Sequence, residues 1–511
     1  MAQSSRTWRR RLLAAGTAMV VGVVVAAPPA QATGGGSGAF QSWLVRKAVT
    51  ANGVLHHLKE LQKISDRNGG NRASGSPGYN KSVDYAEKVL RKAGYRTTRQ
   101  AFDFQTFLIN SPSELDRVSP APGALEHRIM SYSGSADVTA PASVPVSDQF
   151  GCTAAAFGPA NVGTIVLVSR GTCPFGDKAL AAAAAGASAI VVYNNTTGAL
   201  AGTLGNTFTA NFAAVGVTQA LGQELVGQVP GGLTLRVRTD TFRGMATTEN
   251  LIAESRWGNP NNVVMAGAHL DSVPEGPGIN DNGSGSGAIL EVAEQMRLLH
   301  PKNKVRFALW GAEESNLVGS TYYIANLPQA ERDKIALYLN FDMVGSPNYV
   351  RFVYDGDNSA FPPGTGSAVG PPGSGAIEAL FHDYFESQGL ASAETPFSGR
   401  SDYGPFIAAG VDIPSGGLFT GAELVKTEAE AAVYGGTAGV AYDVCYHQAC
   451  DNISNVSKKA IDEMSDAVAH AVVTYAFDTR SLNAPTNGPA SGSTAPAGGG
   501  GGLHDDHGYA S

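Results

Sequence analysis

Two histidines and a scatter of carboxylates in the second half of the chain have the types and spacing to do chemistry. His269 and Asp271 stand in Gly267-Ala268-His269-Leu270-Asp271, and Asp281 in Ile279-Asn280-Asp281-Asn282-Gly283. Glu313 and Glu314 follow Leu309-Trp310-Gly311, Asp342 follows Leu339-Asn340-Phe341, and Tyr446 and His447 lie between Cys445 and Cys450. Imidazole and carboxylate ligands suit zinc, and a catalytic zinc keeps a position open for water. Two such metals about 3.5–4 Å apart can share a carboxylate and a water that ionises near pH 7. Two histidines and three carboxylates fill such a site and leave one acid to carry a proton. The adjacent acids Glu313 and Glu314 divide that work, one facing the metal and the other the substrate. Singly, each residue has an ordinary structural explanation. Five coincidences at the strand ends of one sheet do not.

Those strand ends are themselves read from the sequence. Val263–Ala268, Val305–Leu309 and Ile335–Phe341 are short apolar runs that predict buried strands. Between and after them, helical spacing predicts Gly287–Leu299, Leu317–Ala325, Ala376–Ser387 and Ser457–Phe477 as helices. The alternation predicts an α/β domain of three layers, α/β/α, with a mainly parallel central sheet. In such sheets functional residues gather at the carboxyl ends of the strands.

The first half has a different texture. Apolar residues at Val54, Leu55, Leu58, Leu61 and Ile64 predict one helix, which leaves one of His56 and His57 on the surface and the other in the core. Ser82–Ala93 predicts a second helix, stopped by Gly94. Residues 110–150, rich in Pro, Ser and Ala, read as irregular connections. Thr164–Val168, Lys178–Ala185 and Ala189–Tyr193 form a strand–helix–strand unit. The stretch GTIVLVSRGTCPFGDKALAAAAAGASAIVVYNN, with Arg170-Gly171, Cys173, Phe175, Lys178 and Gly186-Ala187 in order, resembles a protease-associated domain. That resemblance implies a β-rich insert acting as a structural lid, with substrate binding as the alternative.

Composition bounds the rest. The 511 residues are only 16% charged and include 63 glycines, which points to a loop-rich chain of two to three domains. A net charge of −8, with no basic cluster after the first dozen residues, argues against nucleic acid. Arg6, Arg9, Arg10 and Arg11 precede an apolar run from Leu12 to Ala27 and the Ala30-Gln31-Ala32 site, the pattern of a secretory signal peptide. An uncleaved anchor is the alternative, but the run ends in Pro28-Pro29 and is shorter than the ~20 residues of a span. Cleavage near Ala32 would leave a secreted mature chain without a membrane segment. The cysteines fall into two local pairs, Cys152 with Cys173 and Cys445 with Cys450, and two disulfides are expected; the longer-range pairings stay open. The expected division is signal peptide 1–32, first part of the main domain 40–130, insert 131–242, second part 243–482 and a Gly/Pro/Ser/Ala-rich tail 483–511, with a Gly/Ser linker over 33–39.

GAHLDSV, GINDNGSG, WGAEE, LNFDMVG, SGRSDYGPF, GGLFTGAE and CYHQACD together give residues 250–480 a close resemblance to secreted bacterial di-zinc aminopeptidases of the leucine-aminopeptidase type, including the actinobacterial enzymes. The resemblance implies one zinc held by His269 and Asp342, the other by Glu314 and His447, and Asp281 bridging them. Asp271 would then orient His269, Glu313 would be the general base, and Tyr446 would bind the oxyanion. It further implies an acidic site for a free α-amine at Glu313 and Asp342. Arg400 would lie near substrate, or else pair with Asp402. Met343 and Phe419 would line a hydrophobic pocket suited to leucine-like residues, or else belong to the core. Tyr403 departs from the family, some of whose members have His there. Calcium binding occurs in the family, but no oxygen ligands can be placed for it here.

The expected cofactors are therefore two zinc ions per chain, and the expected partners are peptides with a free N-terminus, acted on by a monomer. Three rivals remain: a carboxypeptidase or dipeptidase on the same scaffold, a glutaminyl cyclase, and a receptor-like protein without metals. The full set of acids and histidines argues against the last two. No G-x-S-x-G elbow occurs, and the Gly283–Gly287 run lacks the dinucleotide fingerprint. His504-Asp505-Asp506-His507 reads as an inert part of the tail.

Overall fold

The computed structural model describes residues 38–483, apart from positions 197, 199, 201 and 365. The signal segment, residues 33–37 of the linker and the tail from 484 onward, with its His504–His507 cluster, lie outside the described residues.

Apart from two two-residue strands at Gly123–Ala124 and Arg128–Ile129, the strands, in chain order, are β1 (Arg96–Ser119), β2 (Ala136–Ser143), β3 (Ile165–Ser169), β4 (Ala189–Tyr193), β5 (Ala213–Val217), β6 (Thr234–Glu254), β7 (Asn259–His269), β8 (Asn303–Trp310), β9 (Ile335–Phe341), β10 (Phe352–Tyr354), β11 (Ala393–Thr395) and β12 (Ser415–Phe419). The helices that matter here are α1 (Ala39–Ala48), α2 (Ala51–Arg67), α3 (Pro77–Lys92), α4 (Phe175–Ala184), α5 (Gln219–Gln228), α6 (Gly285–Gln295), α7 (Val318–Asn326), α8 (Ser374–Ser387) and α9 (Lys458–Phe477).

At the centre β8, β7, β9 and β12 run parallel in that order. Antiparallel β6 closes one side of this block and antiparallel β10, paired with β11, the other. Alternate residues of β7 go to opposite faces, as the period of two requires. Val264, Ala266 and Ala268 pack with α2, α6, α8 and α9, while Met265 packs with Tyr323 and Ile324 of α7 and with Phe406. The chain therefore has the expected α/β architecture, with helices on both faces of a mixed sheet whose centre is parallel.

The prediction of irregular structure over 110–150 is overturned in two places. β1 continues to Ser119, paired with β6 from Arg96↔Glu254 to Ser119↔Thr234, and β2 pairs with the far end of β6. The partner strand lies more than 90 residues away in both pairings, so no local composition signals it. β2, β3, β4 and β5 then run parallel, with α4 as the crossover from β3 to β4, a loop joining β4 to β5, and α5 leading from β5 back to β6. α4 and the flanking loops build an apolar cluster around Phe175, Ala179 and Val192. The strand–helix–strand reading of 163–195 holds.

Both expected disulfides are present, Cys152–Cys173 and Cys445–Cys450. Beside the first, buried Lys178 donates to the carbonyls of Phe150 and Gly171 at 2.9 and 2.7 Å. The helix on 51–67 places His56 outside and His57 in the core, and Gly94, with φ +93°, terminates α3. α1, which sequence patterning did not identify, starts at Ala39, the last residue assigned to the linker. Among the described residues no helix is long and apolar enough to cross a membrane.

Candidate metal centre

The carboxyl ends of three adjacent strands deliver the acids. β7 ends at His269, β8 at Trp310 just before Glu313 and Glu314, and β9 at Phe341 just before Asp342. Asp281 comes from the tight segment Ile279–Ser284 that opens α6, and His447 from the loop closed by Cys445–Cys450.

His269 Nε2 lies 3.2 Å from Asp281 Oδ1 and 3.3 Å from Asp342 Oδ1. His447 Nε2 lies 3.1 Å from Asp281 Oδ2 and 3.1 Å from Glu314 Oε2. Asp281 thus presents one oxygen to each imidazole. Glu313 Oε2 stands 3.8 Å from His269 Nε2. Three overlapping sets of donor atoms are spaced to hold a metal ion here: His269–Asp281–Asp342, Asp281–Glu314–His447 and His269–Glu313–Glu314.

Several neighbours fix this arrangement. Asn282 donates to the carbonyl of Phe341 at 2.9 Å and accepts from the N–H of Met343 at 3.2 Å, tying the Asp281 segment to the end of β9. Asp451 accepts the N–H groups of Asn280 and Asp281 at 2.8 and 3.0 Å, tying that segment to the disulfide loop. A buried relay runs from Trp310 through Tyr338, Asn340 and Ser401, whose hydroxyl donates to Asp342 Oδ2 at 2.5 Å. Arg72, fully buried, donates from its guanidinium to the carbonyls of Leu270, Pro277 and Gly278, the loop that joins His269 to Asp281. None of these supports was singled out from sequence. Their only local signal is proximity to the motifs, and Arg72 lacks even that.

The electrostatics concentrate acid at one place. Burial raises Asp281, but the two imidazoles outweigh it and hold the carboxyl below the usual range. Glu314 is pushed up to about 7 by burial, against His447. Glu313 is pushed well above the carboxylate range, first by burial and then by Asp402, Glu314 and Asp342, against His269. Asp402, buried with both oxygens unpaired, is pushed up to about 8 by burial. Glu314 Oε1 and Asp342 Oδ1 are also buried without a hydrogen-bond partner. Buried carboxylates beside two imidazoles, with Asp342 Oδ1 unpartnered and 3.3 Å from His269 Nε2, are a donor set that divalent metal fits.

The remaining predicted residues fall around this cluster. Asp271 faces His269, with Oδ1 at 3.5 Å and its main-chain carbonyl at 3.2 Å from Nδ1. Arg400 pairs with Glu423 at 2.9 Å and donates to the Tyr446 hydroxyl at 3.2 Å, so the alternative pairing with Asp402 is not formed. The Tyr446 ring stacks on His447, centroids 3.8 Å apart. Met343 is buried next to Asp342, with φ +46°, and Phe419 is partly buried against Phe352. Buried Tyr403 directs its hydroxyl at the N–H of Gly399, which donates to it at 2.9 Å.

Residues 250–472 match the model of peptidase family M28, and residues 137–225 match the PA domain. A Pseudomonas aeruginosa protein named aminopeptidase is 45% identical over 451 residues, covering 85% of this chain and 82% of its own. The chain belongs to peptidase family M28. An Aspergillus oryzae protein named "probable leucine aminopeptidase 2" is another relative, 44% identical over 417 residues and covering 81% of each chain. Among solved structures, a zinc aminopeptidase from Bacillus subtilis is similar with a TM-score of 0.60 and 25% identity, over 83% of this chain and 94% of its own. This M28 chain is thus a peptidase that carries an inserted PA domain.

Proposed function

We propose that this chain is a secreted metallo-aminopeptidase that removes N-terminal, preferably leucine-like residues from peptides, using two zinc ions. The observation that carries the reading is Asp281, whose two oxygens face two different imidazoles, each backed by a further carboxylate. On this reading His269 and Asp342 would hold one zinc, Glu314 and His447 the other, and Asp281 both. When bound, such a pair supplies Lewis acidity and makes water acidic enough to ionise near neutral pH.

The side chains do the rest. Glu313 would take a proton from the attacking water and return it to the departing amine. Tyr446 is kept protonated by burial, and its oxygen already accepts from Arg400. Its own proton is therefore free to meet the oxygen on which charge develops. Glu313 and Asp342 offer negative charge to a free α-amine, and Met343 and Phe419 offer apolar surface to the side chain beside it. Asp271 holds His269 in register. The names of the Aspergillus and Bacillus relatives support the leucine preference and zinc, respectively. Two disulfides and the N-terminal pattern support export. The division into a split catalytic domain, 40–130 with 243–482, around an insert at 131–242 accompanies this reading, as does a monomeric state.

The test is hydrolysis of leucyl-p-nitroanilide beside its N-acetylated form. Cleavage of the first alone is expected, abolished by chelation and restored by zinc. Equal rates on the blocked substrate would transfer the chain to another exopeptidase or endopeptidase class.

A further inference from the structure

A second histidine–carboxylate cluster lies between α2 and α6 and shares no residue with the proposed catalytic centre. His57 of α2 faces Glu291 and Glu294, one turn apart on α6. We infer that these three residues form an additional zinc-class divalent-cation site that clips α2 to α6.

The ring of His57 is 1% exposed, and its Nδ1 is bonded to the Tyr85 hydroxyl at 2.7 Å. That bond occupies one nitrogen and leaves Nε2 for the glutamates, the arrangement by which a metal-binding histidine is held in one tautomer. Nε2 is buried and has no hydrogen-bond partner. It lies 3.5 Å from Glu294 Oε2 and 3.7 Å from Glu291 Oε2. These separations exceed the ~2.7–3.2 Å of a hydrogen bond. They agree with two ligand atoms sharing one ion, since bonds of about 2.0–2.2 Å at a tetrahedral angle place their ends about 3.4 Å apart.

The surroundings keep the cluster together. The other oxygen of Glu291 accepts from Gln295 Nε2 at 3.1 Å, which turns Oε2 toward His57. A Cβ at Gly53 would lie 2.3 Å from that other oxygen, so a glycine is what lets α2 come this close to α6. The side chain of Glu294 is 28% exposed, which leaves a path for the ion and room for a water as fourth ligand. Among the described residues, no lysine or arginine bridges either glutamate. The competing state is a histidinium ion-paired to both acids, which needs no metal. Because α6 follows directly on the segment bearing Asp281, a clip here would steady the catalytic centre without joining it.

The experiment loads the full chain with zinc, passes it through gel filtration in metal-free buffer, and counts zinc per chain beside Glu294→Gln. One zinc fewer is expected in the variant, with leucyl-p-nitroanilide turnover within twofold of wild type. Anomalous diffraction at the zinc edge of the wild-type crystal should show a peak between His57, Glu291 and Glu294. This second measurement depends on no variant and is read separately from any peak at Asp281. Equal zinc counts, or an empty difference map at His57, would overturn the assignment and leave the histidinium triad.

Discussion

Asp271 accepts the main-chain N–H of Glu313 on Oδ1 at 3.3 Å, joining the loop after β7 to the loop after β8. The same oxygen is 3.5 Å from His269 Nδ1, so one carboxylate steadies both a proposed zinc ligand and the backbone of the proposed base. Asp271→Ala should lower kcat about 10–100-fold and weaken zinc retention, the usual cost of losing such an outer partner. Steady-state kinetics and competition with a chelator measure the two effects. A variant that loses neither would confine Asp271 to the fold.

On the proposed reading Glu313 is the acid left over once Asp281, Glu314 and Asp342 serve the metals. It lies 3.8 Å from His269 Nε2, and its carboxylate could itself join His269 and Glu314 around an ion, so its role as base needs a direct test. Glu313→Gln should reduce kcat by about 10²–10⁴-fold, the range associated with losing a general acid–base. Zinc content should stay at the wild-type value. If zinc is lost along with activity, Glu313 is a ligand and another base must be sought.

Arg72 is a buried cation whose side chain meets main-chain carbonyls at Leu270, Pro277 and Gly278. Replacement by Met leaves the carbonyls of Leu270 and Pro277 without that donor, at about 1–3 kcal/mol each, while Gly278 keeps the N–H of Gly283; removing a buried charge offsets part of the loss. A net loss of about 2–4 kcal/mol is expected from denaturant unfolding. The loop should also loosen, so zinc retention falls with stability. Arg72→Lys restores charge but not the three-way fork, and should recover only part of either.

The loop closed by Cys445–Cys450 carries Tyr446 and His447 and is anchored by Asp451. Closing so short a loop contributes only about 2 kcal/mol through the unfolded chain. Replacing both cysteines by Ser should therefore cost a modest drop in Tm and a larger loss of turnover. Full activity in the double variant would show that Asp451 alone holds the loop.

What the sequence made legible follows from where the determinants lie. The strands around His269, Glu313 and Asp342 are continuous apolar runs, because a central parallel strand is buried on both faces, and the acids sit at their ends. β1 was not read from the sequence at all, because its pairing with β6 is a tertiary property of residues far apart in the chain. Ser401, Asn282 and Asp451 stand inside or beside recognisable motifs, yet their hydrogen-bond partners are set by loop conformation. Arg72 stands about 200 residues before the loop it holds, and nothing near it in sequence announces a buried cation.

Glu378, on α8, is buried and accepts the N–H groups of Gly356 and Asp357 at 2.8 and 3.2 Å. Burial, and after it Asp357, Glu394 and Asp355, push its carboxyl from 4.5 up to about 8. The folded chain therefore keeps a proton that the unfolded chain releases. Its contribution is fully present below the unfolded pKa of 4.5 and is lost as pH rises through about 8. Glu378→Gln copies the protonated form and can still accept both N–H groups. Near the unfolded pKa the variant and wild type should unfold at the same Tm. Above the folded pKa the variant should be the more stable, by up to about 5 kcal/mol at 1.36 kcal/mol per unit. Melting curves across that pH range decide the matter. A variant less stable at every pH would show that the ionised carboxylate is the form the fold requires.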